Sequence, residues 1–356
     1  MTGSAPASLA DPAARLSDLP GVIHAYAFPR WKWRFVRRCF IGHRVRFLPA
    51  GAKLPKEGAL LLWGMAPPPE GLGNNVRVIR MEDGFLRSVG LGAELTRPLS
   101  WVVDRQGIYY DATRESDLEC LLERGHFGPD LIAKAAALRE RVLEAGLTKY
   151  NLSGRPWRSP CDGRHVVLVP GQVESDASLA FGAPDFRTNM ALLRAVRQAR
   201  PDAYLVYKPH PDVVARLRRE GSEDAQAAQW CDEIVSDVAM GDLLNAVDEV
   251  QVMTSLAGFE ALLRGKRVVC RGSPFYAGWG LTEDTSPHPR RTRRLGLDEL
   301  VAAALILYPL YIGARGTVTP EQALDALQAW KTRDEGRARS LQGIHRFFLR
   351  LFIGVR

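Results

Sequence analysis

Two short apolar runs in this chain end in residues suited to holding an anion. The β-prone run 203–208 (AYLVYK) stops at Pro209-His210-Pro211, where the prolines end the strand and fix the histidine on a stiff turn. A second run, 249–255 (EVQVMTS), leads into 256–263 (LAGFEALL), which reads as a helix. Thr254 and Ser255 stand where its N-cap belongs, so hydroxyls and unpaired backbone N–H groups face whatever lies beyond the strand. A phosphate fits such a place. Two further strand ends deliver acids, Glu82 and Asp83 after 76–81 and Glu174 and Asp176 after 165–169. The stretch 273–284 (SPFYAGWGLTED) is rich in glycine and aromatics and is expected to wall a planar or ringed ligand. Together these groups describe a cleft for an anionic substrate, in which a histidine N–H and a helix N-terminus stabilise a phosphate as leaving group. A sugar nucleotide supplies that leaving group. No GxGxxG, P-loop or HExxH occurs at a relevant position, so dehydrogenase, kinase and zinc hydrolase readings fall away.

The elements that must position these residues alternate between strand and helix. Strands are predicted at 59–64, 76–81, 99–104, 165–169, 203–208, 249–255 and 267–270. Helices are predicted at 116–124, 129–145, 186–200, 256–263, 302–310 and 320–332, the last capped by Thr317 or Thr319. The alternation through Cys270 predicts a parallel, doubly wound sheet. The composition of 151–164 (NLSGRPWRSPCDGR) is that of a linker. The expected division is therefore 1–20 loosely attached, 21–160 a first domain, 161–335 a second with closing helices, and 336–356 a basic amphipathic tail. A length of 356 residues suits two cores better than one.

Five widely spaced cysteines without a CxxC pair argue against a disulfide framework and a zinc site. The first residues lack the basic start and apolar core of a signal peptide, and no apolar run is long enough to cross a bilayer, which predicts a cytoplasmic protein. The net charge of +8 points to an acidic partner. Much of it lies in 28–38 (FPRWKWRFVRR) and 343–356 (GIHRFFLRLFIGVR), either of which could sit on an anionic inner-membrane surface or be a solvated face packed on its domain. No nucleic-acid recognition motif accompanies the charge.

The motifs EDGFLRSVGLG, GQVESDAS, YKPHPDV and SLAGFEALLRGKRVVCRGSPFYAGWGLTED, in that order across residues 76 to 290, resemble the capsule polysaccharide biosynthesis family. The resemblance is to one half of the KpsC-type β-Kdo glycosyltransferases, which carry two such modules. It implies an α/β, GT-B-like fold of two Rossmann-like domains with a cleft between them. It also implies transfer of Kdo from CMP-Kdo, with retention, to a Kdo-terminated lipid-linked acceptor, CMP-Kdo being a substrate and no cofactor or metal being needed. By motif, Asp176 is then the nucleophile and Glu82 the general base. His210 and Ser255 hold the CMP phosphate and Glu260 the ribose. Gln172 is a further CMP-Kdo contact, and Arg87 and Lys208 are candidates for the Kdo carboxylate or the phosphate by charge. A covalent carboxylate adduct is one chemical route to retention.

Two other readings of the same residues stand beside this one. A GT-B-like sugar-nucleotide epimerase uses similar acids and a similar phosphate site without an acceptor. A non-catalytic module binds polysaccharide or membrane through the basic segments and is indifferent to loss of Asp176.

Overall fold

A computed structural model describes residues 16–90, 96–152, 154–160, 163–219, 221 and 223–335. Residues 1–15, Leu91 and Gly92 of the EDGFLRSVGLG motif, and the basic tail from 336 onward lie outside the described residues. The chain forms an α/β fold with two compact units.

The first unit opens with four strands, β1 (Val22–Tyr26), β2 (Arg44–Leu48), β3 (Gly58–Trp63) and β4 (Val76–Asp83). They lie parallel in the order β2-β1-β3-β4. Strand β3 carries Ala59, Leu60, Leu61 and Leu62, all buried, which is the unbroken apolar run of a strand covered on both faces. At the edge β2 exposes Arg44 and Arg46, charges that discourage further pairing. Strand β5 (Ser100–Asp104) then pairs antiparallel with β4, setting Asp83 opposite Trp101. The helix Trp33–Cys39 buries Phe35, Val36 and Cys39 in the same core as Ile23, Leu61 and Trp101.

In the second unit the strands are β6 (Val166–Pro170), β7 (Tyr204–Lys208), β8 (Glu233–Ile234), β9 (Glu249–Val252), β10 (Arg267–Cys270) and β11 (Glu283–Asp284). All pair in parallel, in the order β8-β7-β6-β9-β10-β11. Numbered within the unit this is 3-2-1-4-5-6, the Rossmann order, whose direction reverses between its first and fourth strands. The helix Asn189–Ala199 begins at the cap Thr188, whose Oγ1 accepts from Ala191 N at 3.1 Å. It packs Leu193 and Val196 against Val167 and Leu205 of the sheet.

After β11 the chain returns to the first sheet. The expected helix 302–310 is a π-helical turn, Ala302–Leu307, that stops before Pro309. There strand β12 (Pro309–Ile312) pairs antiparallel with β5, and β13 (Thr317–Val318) pairs with β12. Pro309 cannot continue a helix, and the fully buried PLYI run gains its hydrogen bonds from β5 instead. Residues Asp298–Asp325 thus group with the first unit, whereas a division by chain order near residue 160 assigns them to the second. Thr319 caps the last helix, Pro320–Glu335, in a reciprocal box: its Oγ1 accepts from Gln322 N, and Gln322 Oε1 accepts from Thr319 N. Thr317 belongs to β13.

Candidate functional site

The carboxyl ends of β6 and β9 meet at the topological switch of the second sheet, the usual ligand position in an open α/β fold. There the side chain of Gln172 pairs with Thr254: its Nε2 donates to Thr254 Oγ1 at 3.0 Å, and its Oε1 accepts from Thr254 N at 2.9 Å. Asn189 fixes the backbone of the same glutamine, accepting from Gln172 N at 2.8 Å and donating to Gln172 O at 3.0 Å. Buried and engaged at both ends, Gln172 braces the two strand-end turns against each other rather than standing ready for a ligand. Thr254 passes the chain of hydrogen bonds on to Ser178 Oγ at 3.2 Å.

The two acids of the β6 turn have different surroundings. Glu174 Oε1 accepts from Asn189 N at 2.9 Å, at the start of the helix Asn189–Ala199. Asp176 is exposed and caps the helix Ala177–Gly182, its Oδ1 accepting from Ser178 N at 2.8 Å. That bond orients the carboxylate.

His210 ends the segment after β7 and caps the turn Pro211–Val214, with Nδ1 accepting from Asp212 N at 3.1 Å. A ring nitrogen that accepts carries no proton, so the proton resides on Nε2. Burial pushes the imidazole pKa down to about 4; Lys149 and Arg218 push it the same way, while Asp176 opposes them. His210 is therefore a neutral N–H donor near pH 7, with two cations and the Asp176 carboxylate in its field. Lys208 is placed otherwise than its charge suggests. The residue is 7% exposed, its ammonium donates to Val238 O at 2.7 Å, and burial lowers its pKa to about 8. It ties the end of β7 to the segment beside it.

Ser255 is the N-cap of the helix Leu256–Leu263, its Oγ accepting from Ala257 N at 3.3 Å, as its position in the sequence predicts. Glu260 lies buried on this helix, and its Oε1 accepts from Lys149 N at 2.7 Å. Burial raises its pKa to about 7, against the opposing pull of Arg264 and Lys149. Lys149 in turn receives Ser88 N on its carbonyl at 3.2 Å, so Glu260 supports the segment that anchors the end of the EDGFLRS run.

The glycine-aromatic loop is not a ligand wall. Phe275, Tyr276, Ala277 and Trp279 are buried, and Tyr276 donates its hydroxyl to Ser255 O. The rings pack behind the Ser255 cap because burying them gains more than exposing them to a polar ligand, and each polar tip finds a carbonyl. Trp279 Nε1 donates to Phe275 O at 2.8 Å. Gly258 makes the packing possible, since a Cβ there would overlap the Tyr276 ring and hydroxyl. Gly278, at φ +86°, turns the loop.

In the first unit, Glu82 accepts from Asp83 N at 2.9 Å and from the Tyr110 hydroxyl at 3.4 Å. Gly64 (φ +52°) sits against both, where a Cβ would lie 2.9 Å from Glu82 Oε2. Asp83 receives Arg87 Nε at 2.5 Å and Trp101 Nε1 at 3.0 Å. Arg87 is 2% exposed in this pair, so the expected cation for a substrate carboxylate is spent on its own neighbour. The basic aromatic segment also turns inward. Trp33 stacks on Phe47 at 4.4 Å and donates Nε1 to Phe28 O, while Trp31 meets Phe35 edge-on. Arg34 and Arg37 remain exposed.

Sequence reading missed Asn189, Tyr110, Lys32, Lys149 and Arg218. For Lys32 a signal existed, a lone cation between two tryptophans (WKW), which is the composition of a cation–π contact. Among the described residues no cluster of three or more His, Cys, Asp and Glu side chains is arranged to hold a metal, and no helix is long and apolar enough to cross a membrane.

A parallel sheet of Rossmann order with acid, imidazole and hydroxyl groups at its carboxyl edge puts the second unit in the doubly wound α/β class. The family described as capsule polysaccharide biosynthesis protein matches residues 70–153 and 157–312, and the chain belongs to that family. It is 40% identical over 343 residues to the capsule polysaccharide modification protein LipA of Neisseria meningitidis serogroup A, covering 92% of this chain and 48% of LipA. The chain thus spans about half the length of that relative. Two solved structures from Thermosulfurimonas dismutans KpsC are similar over most of this chain. The β-Kdo 2,7 transferase shares 38% identity at a TM-score of 0.72, covering 87% of this chain and 99% of that one. The β-Kdo 2,4 transferase shares 32% identity at a TM-score of 0.73, covering 85% and 97%.

Proposed function

We propose that this protein is a retaining glycosyltransferase of GT-B-like organisation that moves β-Kdo from CMP-Kdo to a Kdo-containing acceptor in capsule or surface polysaccharide synthesis. The observation that carries the reading is the match to nearly the whole length of a β-Kdo transferase structure at 38% identity.

In this reading the Asp176 carboxylate attacks the anomeric carbon of Kdo, the bond to the phosphate oxygen breaks, and CMP leaves with the electron pair. His210 donates its Nε2–H to that phosphate, and the N-terminus of Leu256–Leu263 behind Ser255 adds backbone N–H groups. Lys149 and Arg218 supply the positive charge that a neutral imidazole lacks. Glu260 faces the ribose. In the second step Glu82 takes the acceptor hydroxyl proton, the acceptor oxygen bonds to the anomeric carbon, and the bond to Asp176 breaks, regenerating its carboxylate. Gln172, Lys208 and Arg87 hold the frame. The proposed setting is the cytoplasmic face of the inner membrane, where a lipid-linked acceptor lies.

Asp176→Asn tests this directly. Asn caps a helix as well as Asp does, so the fold survives while the nucleophile is lost. Transfer from CMP-Kdo should fall below detection with CMP binding retained, and the intact mass of the wild type incubated with CMP-Kdo alone should rise by one Kdo on the peptide carrying Asp176. Near-normal turnover of the variant, or an adduct on Glu174 or Glu82, overturns the assignment. Glu174→Ala should instead lower stability by about 1 kcal/mol through the start of the helix Asn189–Ala199.

A further inference from the structure

The segment 19–56 holds nine lysines and arginines and no aspartate or glutamate. It forms the edge of the first unit's sheet, β1 and β2, with the helix Trp33–Cys39 between them. Because β1 and β2 run parallel, the chain must return from the carboxyl edge of the sheet to the amino edge, and the helix carries it back. Arg30, Arg34 and Arg37 are spaced four and three residues apart, which sets them on one face, and all three are exposed. They cover roughly 10 Å along the axis.

The guanidinium of Arg34 lies over the Phe35 ring at 4.6 Å from its centroid, and that of Arg37 over the Phe47 ring at 5.0 Å. Phe35 is buried and Phe47 is stacked on Trp33, so both guanidiniums rest on rings fixed by packing. Among the described residues no carboxylate forms an ion pair with Arg30, Arg34 or Arg37.

At its start the stripe adjoins Glu82. The turn Arg30–Lys32 sets the Lys32 ammonium on the face of Trp63, whose ring also meets Phe28 edge-on. Trp63 ends β3 beside Met81 of β4, and the next residue, Gly64, donates its N–H to Met81 O at 2.9 Å. Glu82 Oε2 lies against Gly64. The turn is thus packed on the neighbour of the glycine that touches Glu82, and the arginines lead from there toward the amino edge.

We propose that Arg30, Arg34 and Arg37 are a track for a polyanionic acceptor: a chain of acidic sugars lies along the helix with its carboxylates on these guanidiniums and its reacting end at Glu82. The proposal rests on the reading of Glu82 as general base. Planar, forked guanidiniums match carboxylates, and arginines held at fixed spacing suit a ligand whose charges repeat along a chain. A bilayer surface would also attract such charge, but the aromatic residues that could anchor the segment there, Trp31, Trp33 and Phe35, are packed on the core. Arg44 and Arg46 are not part of the track. Val45 and Phe47 pack on the core that holds the helix, so alternation puts those two arginines on the opposite face of the sheet.

This placement supplies the control. Arg34→Gln with Arg37→Gln removes two charges from the track, and Arg44→Gln with Arg46→Gln removes two from the other face. Each full-length protein is assayed with an acceptor carrying one Kdo, one carrying four, and the four-Kdo chain with its carboxylates reduced to alcohols. The wild type should show a KM about fivefold lower for the four-Kdo acceptor than for the single one, and no such preference for the reduced chain. Arg34→Gln with Arg37→Gln should abolish the preference with kcat and the one-Kdo KM unchanged, while the Arg44 and Arg46 pair keeps it. A preference that survives in the first pair, falls equally in both, or persists for the reduced chain overturns the proposal. Loss of binding to phosphatidylglycerol vesicles in the first pair with the acceptor preference intact makes the stripe a lipid surface and overturns it as well. Absence of transfer to any Kdo acceptor sinks the transferase reading and the placing of the chain's end at Glu82. Calorimetric titration with the four-Kdo chain still decides the track: affinity should fall about fivefold in the first pair and hold in the second, and equal affinity in all three proteins overturns it.

Discussion

His210 Nδ1 accepts a hydrogen bond from the backbone N–H of Asp212 at 3.1 Å, which places the imidazole proton on Nε2. A histidine held as a neutral donor is not a titrating switch near neutral pH. The pH profile of transfer should therefore show no inflection near 6.5, the ordinary histidine value, because the folded pKa is about 4. His210→Ala should lower kcat by about 10²-fold to 10³-fold through loss of one donor to the leaving phosphate. An inflection near 6.5 that disappears in this variant would show that the ring titrates freely.

Glu260 has the opposite linkage. Its folded pKa of about 7 lies above the ordinary 4.5, so the fold favours the protonated acid. The stability it contributes is fully present below pH 4.5 and is lost as pH rises through about 7, on the order of 3 kcal/mol across that window. Glu260→Gln keeps an oxygen for Lys149 N and cannot ionise. Its Tm should vary less than that of the wild type between pH 5 and pH 8, and should be the higher of the two at the alkaline end. Parallel Tm curves for the two proteins would contradict this account.

Gly258 and Tyr276 bear on the donor site without facing it. Gly258→Ala forces Tyr276 away from Ser255 O and should cost roughly 1–3 kcal/mol by overpacking. Tyr276→Phe removes only the hydroxyl and should cost about 1 kcal/mol. In both, protection of the protein by CMP in thermal shift should weaken, since Ser255 loses its support. Unchanged CMP protection in both variants would show that the cap stands without Tyr276.

Membrane attraction, if it operates through the described part of this chain, is a matter of charge. Trp31, Trp33 and Phe35 are spent on the core, while Arg34 and Arg37 are exposed. Sedimentation with anionic vesicles should be lost at high salt and weakened by Arg34→Glu with Arg37→Glu, each basic residue being worth about 1 kcal/mol at a surface. Salt-resistant binding would require an apolar anchor elsewhere.

Local chemistry made much of this protein legible in its sequence. The strands ending at Lys208 and leading to Ser255, the helix Leu256–Leu263 and its serine cap, and the two prolines around His210 are all set by neighbours within a few residues. Long motifs identified the family for the same reason, because a strand end, its turn and the helix after it are contiguous in the chain. Tertiary structure decided which of the polar groups remain available. Gln172 is taken by Thr254, 82 residues away, Lys208 by Val238 O, and Asp83 by Trp101 across an antiparallel pair. The aromatic residues Phe275, Tyr276 and Trp279 became core, and residues 309–312 became a strand because β5 offered them hydrogen bonds. Whether a charged or aromatic side chain is free depends on what other parts of the chain can reach it, and that is settled by register and packing between segments distant in sequence.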